Sequence, residues 1–97
     1  MITVNDLKSI LIKYNILKKY DLDKIGIFGS FARGEEFNDI DFFIDKDDIN
    51  YQKVEELQAE LESIINIKVD LMQRKYANPI VLYRAKKDMI YVTARIK

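Results

Sequence analysis

Two short alternating runs with an amphipathic segment between them constrain this chain more than any other feature. Asp39 to Asp45 reads DIDFFID and Ile67 to Met72 reads IKVDLM; the first alternates polar and apolar residues at its start and the second along its length, as a β-strand does. From Tyr51 to Ile65, Val54, Leu57, Leu61, Ile64 and Ile65 recur at helical spacing, with Glu55, Glu56, Glu60 and Glu62 between them. A strand, helix and strand in this order return through a right-handed crossover, so the two strands lie parallel, and as neighbours they run about 4.8 Å apart. Side-chain direction repeats every two residues, so Asp39, Asp41 and Phe43 share one face while Ile40 and Phe42 take the other. Asp70 joins the aspartate face when Val69 and Leu71 turn to the core. Three carboxylates then converge within a few ångströms.

The remaining segments build around this unit. Thr3 to Tyr20 places Leu7, Ile10, Leu11, Tyr14 and Leu17 at helical spacing, and Thr3 with Asp6 makes a capping box. Lys24 to Phe28 (KIGIF) is a buried strand running into Gly29-Ser30, with one helical turn from Ser30 closed by Gly34. Asn78-Pro79 starts a last short helix through Ala85, and Met89 to Thr93 returns as an edge strand. The fold expected is α/β (α+β), a mixed β-sheet with helices packed on one side.

Ninety-seven residues, 48% of them hydrophobic, suit one domain over residues 1–97, because a chain this short buries one core. It has little room for a separate recognition lobe. An elaborate binding site must then be shared with a partner or with a second copy in a homo-oligomer.

Composition removes whole classes of chemistry. The chain has no cysteine and no histidine, which excludes disulfides, thiolate zinc sites and imidazole general bases. Catalysis falls to carboxylates, hydroxyls, Lys or Arg. Sixteen basic and sixteen acidic residues cancel, which argues against nucleic acid as the direct target. The charge is unevenly spread, at +3 over residues 1–34, −9 over 35–67 and +6 over 68–97, either an acidic centre with basic flanks or an acidic solvated helix beside a basic tail. No apolar run reaches the roughly 20 residues of a membrane span, so a cytoplasmic protein is expected.

Three adjacent carboxylates raise one another's pKa and call for a cation. Oxygen ligands without histidine or sulfur select Mg2+, which is held by one or two carboxylates together with substrate phosphate oxygens. Two ions about 3.5 to 4 Å apart would clamp the attacking and leaving oxygens of an in-line phosphoryl displacement. The triphosphate also needs a cradle. Gly29 allows close backbone approach, Ser30 adds a hydroxyl donor, and Arg33 is placed to neutralise phosphate charge. These are the parts of nucleotidyl transfer.

The stretch Gly29-Ser30-Phe31-Ala32-Arg33-Gly34, then Asp39-Ile40-Asp41, then Val69-Asp70-Leu71, resembles the signature of the polymerase-β-like nucleotidyltransferase superfamily, and within it the minimal, MntA-like branch. The likeness runs over nearly the whole chain, through Asn78-Pro79 to Val92. It implies a polymerase-β palm-like fold, with Gly29 and Ser30 on the nucleotide phosphates, Asp39 and Asp41 as metal ligands, and Asp70 as a third ligand or general base. It also implies ATP as donor of AMP, a HEPN-domain toxin as partner, and an antitoxin role. One departure is visible: Phe31 to Asn38 form a spacer of eight residues, shorter than the family usually has, with Asn38 where serine often stands. That departure keeps open an alternative in which a catalytically weak antitoxin neutralises its toxin by binding alone.

Two further groups have more than one reading. Phe31, Phe37 and Phe43 suit either a core role or stacking on a nucleobase. Tyr76, Tyr83 and Tyr91 with Arg74, Lys75, Arg84, Lys86 and Lys87 suit either an interface or a solvated tail.

Overall fold

The computed structural model describes residues 2–93. Its strands are β1 (Lys24–Phe28), β2 (Asp39–Ile44), β3 (Lys68–Gln73) and β4 (Ile90–Thr93), and its helices are α1 (Val4–Lys13), α2 (Ile16–Lys19), α3 (Gly29–Ala32), α4 (Tyr51–Ile65) and α5 (Pro79–Asp88). The strands form one sheet in the order β3-β2-β1-β4. The β2–β3 pair joined by α4 is parallel, as the crossover requires, while β1 runs antiparallel to both β2 and β4.

Alternation along the strands sorts the sheet into two faces. Ile25, Ile27, Ile40, Phe42, Ile44, Val69 and Val92 enter the main core with Leu7 and Leu11 of α1, Ile16 and Leu17 of α2, and Val54, Leu57 and Leu61 of α4. Each such aliphatic or aromatic side chain contributes roughly 1.5–3 kcal/mol by leaving water, which is what seats α1, α2 and α4 on this face. The opposite face carries Asp39, Asp41 and Phe43 of β2, with Asp70 of β3 and Gly26 of β1 in register beside them.

Phe43 is fully buried on that second face, outside the main cluster. Both it and Met89, at the α5–β4 junction, lie beside Gly26: a Cβ built there would collide with the Met89 sulfur and stand 3.2 Å from the Phe43 Cβ. Gly26 therefore leaves the space that the Met89 side chain occupies.

The N-terminal helix departs from expectation. The spacing predicts one helix from Thr3 to Tyr20, but Asn15 takes the left-handed conformation at φ 57° and splits it into α1 and α2. Asparagine tolerates that region better than most residues, and the break resets the helical phase. Ile16 becomes fully buried while Tyr14 stays 48% exposed, the reverse of what an unbroken helix would give. The Thr3–Asp6 capping box is present in both directions, at 3.1 and 2.9 Å. Strand β3 begins at Lys68 and runs to Gln73, one residue later than the alternation of IKVDLM suggests at both ends, and a short 3-10 turn at Arg74–Tyr76 follows it.

Candidate active site

The site grows from the register of the parallel pair. Asp41 is the direct partner of Asp70 across β2–β3, and Asp39 stands two residues earlier on the same face. One carboxylate oxygen from each of Asp39, Asp41 and Asp70 lies within 4.8 Å of the others. Asp39 and Asp41 are half-buried and Asp70 is exposed, so the cluster opens outward at β3, the edge strand of the sheet.

Electrostatics mark Asp41 as the strained member. Its pKa is pushed up to about 6, first by burial and then by the negative charges of Asp39 and Asp70, with Arg33 pulling the other way. A carboxylate held against its own charge preference among two others is a set of hard oxygen donors short of positive charge. Such a set fits a divalent cation of the magnesium type.

The phosphate corner abuts this cluster. Phe28 of β1 pairs with Asp41 of β2, and the chain then turns at Gly29 with φ +80° into the four-residue α3. A Cβ at Gly29 would collide with Asp41 Oδ2, so glycine is required both for its backbone angle and for the close approach. Gly29 therefore stands directly against a candidate metal ligand, with the eight-residue spacer of Phe31 to Asn38 between them in sequence.

Arg33 caps α3 and reaches back, its Nη2 lying 3.4 Å from Ser30 Oγ. The guanidinium is also paired with Asp88 at 2.7 Å and with Glu35 at 3.1 Å, and those hydrogen bonds, Asp88 first, raise its pKa further. Neither acidic partner figures in the sequence reading. The structure extends the last helix three residues past Ala85, so that Asp88 becomes its final residue, an acid where a base is usual.

Of the three phenylalanines, Phe31 and Phe43 are buried, 4% and 0% exposed, and Phe37 packs edge-on against Phe31 at 4.9 Å. Phe31 and Phe43 serve packing, whereas Phe37 is half-buried. In the basic C-terminal group, Arg74 bonds both Asp45 and Asp47, at 2.6 to 3.1 Å, tying the end of β3 to the loop before α4. Tyr76 and Tyr83 stay exposed beneath the ammonium groups of Lys75 and Lys87, and Lys24 lies over Tyr91. No helix among the described residues is long and apolar enough to cross a membrane.

Comparison with known proteins identifies the family. The chain is 43% identical over 100 residues, 95% of its own length and 100% of the relative's, to a Methanocaldococcus jannaschii protein provisionally named a protein adenylyltransferase. It is 30% identical over 97 residues, 95% of its length and 98% of the relative's, to the protein adenylyltransferase MntA of Thermococcus cleftensis. Among solved structures, a chain of a mutant MntA–HpeT toxin–antitoxin complex superposes with a TM-score of 0.69 at 25% identity, covering 94% of this chain and 72% of that one. The family described as polymerase beta, nucleotidyltransferase matches residues 7–95. With the carboxylate cluster, the glycine-serine corner and the mixed sheet all in place, the chain belongs to the polymerase beta nucleotidyltransferase family.

Proposed function

We propose that this nucleotidyltransferase moves AMP from ATP to a hydroxyl group on a HEPN-domain toxin and acts in the cytoplasm as that toxin's antitoxin. The observation that carries the reading is the meeting of Asp39, Asp41 and Asp70 on one sheet face, directly beside the Gly29-Ser30 turn. The adenylyltransferase names of the relatives and the toxin–antitoxin complex of the structural neighbour support the choice of acceptor.

Asp39, Asp41 and Asp70 would hold Mg2+, with two ions the number suited to this reaction. Bound there, the metal supplies charge neutralisation for the attacking and leaving oxygens at phosphorus. The chain's own groups do the rest. The backbone at Gly29 and the Ser30 hydroxyl donate to the outer phosphates, and Arg33 adds charge-assisted donors next to Ser30. We assign to Asp70, exposed on the edge strand β3, the acceptance of the proton of the incoming hydroxyl. The acceptor oxygen forms its bond to the α-phosphorus as the bond to pyrophosphate breaks.

The test is to incubate the chain with α-phosphate-labelled ATP, magnesium and the toxin encoded beside it. Label should appear on the toxin and vanish with Asp39→Asn, Asp41→Asn. The binding-only alternative predicts instead that this folded double variant neutralises the toxin as well as the native chain does.

A further inference from the structure

Asp88 is the final residue of α5, where the negative end of the helix dipole disfavours a carboxylate. A residue that breaks a local rule calls for a compensating contact, and here it is Arg33, whose Nη1 donates to Asp88 Oδ2 at 2.7 Å across 55 positions of sequence. The same guanidinium pairs through Nε with Glu35 at 3.1 Å and places Nη2 3.4 Å from Ser30 Oγ. Arginine has five N–H donors in a rigid planar fork. One N–H on each nitrogen is engaged in these contacts, which leaves one donor on Nη1 next to Asp88 and one on Nη2 next to the Ser30 hydroxyl.

The two acidic anchors are unequal. Glu35 is 57% exposed, Asp88 only 24%. Asp88 is also followed by Met89, whose side chain is seated over Gly26 of the central strand β1. Asp88 is therefore the firmer hold, because its backbone is tied to the sheet on the aspartate face.

We propose that Asp88 is a positioning residue for the nucleotide: it fixes the Arg33 fork with Nη2 beside Ser30, so that the remaining donor there is held ready for the triphosphate. The inference rests on the nucleotide-transfer reading above, and it assigns Asp88 no contact with substrate. Its effect passes entirely through Arg33.

The experiment is a titration of a non-hydrolysable ATP analogue with magnesium into the native chain, Asp88→Ala, Asp88→Glu, Arg33→Ala and the Arg33→Ala, Asp88→Ala double variant, with melting temperatures alongside. Asp88→Ala should weaken binding about tenfold, the size expected for loosening one charge-assisted contact. Asp88→Glu should restore it to within about threefold. In the Arg33→Ala background, Asp88→Ala should change affinity by less than about twofold, because residues acting as one unit are not additive. In turnover the loss should fall on KM for ATP. Asp88→Asn keeps the shape without the charge and carries the same test if the alanine variant melts early. Equal weakening with and without Arg33 would overturn the proposal in favour of a structural role. Unchanged or tighter binding in Asp88→Ala, with a native chain that binds, would overturn it alone, whereas a native chain that binds no nucleotide would overturn the reading beneath it as well.

Discussion

Asp41 and Asp70 face each other directly across the parallel β2–β3 pair, and the Asp70 charge is one of the causes that push the Asp41 pKa up to about 6. Between its ordinary value of 3.8 and about 6, the folded chain holds a proton at Asp41 that the unfolded chain releases. The stability linked to that proton is complete below about pH 4 and is lost as pH rises through 6. At neutral pH the ionised Asp41 is thus a liability in the metal-free protein. Asp41→Asn should raise the melting temperature of the metal-free chain at pH 7.5 by about 4–8 °C, corresponding to on the order of 1 kcal/mol after discounting for partial exposure. The gain should disappear at pH 4. Calorimetry in a chelator at both values checks this, and an unchanged melting point at pH 7.5 would show that the carboxylate is not strained.

Gly29 joins the phosphate corner to the carboxylates, and Gly29→Ala meets two obstacles there. Alanine at φ +80° is strained, and its Cβ would run into Asp41 Oδ2. We expect a loss of roughly 1–2 kcal/mol in stability from the backbone alone. We expect a fall of about 100-fold or more in AMP transfer, because a shift near 1 Å in the reacting geometry costs about that much. Denaturant unfolding and turnover assays on the same preparation separate the two effects.

The clearest features in the sequence were those set by period and spacing. Alternation at the start of DIDFFID and along IKVDLM, with a helix between, was enough to place Asp39, Asp41 and Asp70 on one face, because a two-residue period leaves no freedom once Val69 is in the core. The break at Asn15 was not legible, since apolar residues continue through it and only the left-handed backbone angle reveals the change of phase. The Arg33–Asp88 pair was hidden for another reason. Its members lie 55 positions apart, and no local pattern reports which end of α5 the sheet topology brings to α3.

Phe43 distinguishes packing from nucleobase recognition. It is fully buried on the aspartate face with the Met89–Gly26 contact close by, so Phe43→Leu should cost about 1–1.5 kcal/mol in stability. It should leave affinity for the ATP analogue within about twofold, since a side chain with no exposed surface offers no stacking face. A large loss of affinity without a loss of stability would assign it to the nucleotide instead.

Leu57 tests how α4 is held over the parallel pair. It is fully buried against the sheet, and Leu57→Ala should cost about 2–5 kcal/mol through the lost burial and the cavity left behind. Because α4 is the crossover that fixes the β2–β3 register, the variant should also weaken magnesium-dependent nucleotide binding at temperatures where it begins to melt, and not below them. Parallel melting and binding curves show whether the two losses coincide.

The central claim is that Asp39, Asp41 and Asp70 form one divalent-cation site serving a nucleoside triphosphate. Electron paramagnetic resonance of Mn2+, titrated into the chain with a non-hydrolysable ATP analogue, tests it most directly. The account predicts Mn2+ binding that strengthens with the nucleotide and is abolished by Asp39→Asn, Asp41→Asn in a variant that remains folded. Binding of equal strength in that variant, or a native chain that takes up no Mn2+ with the nucleotide present, would contradict it.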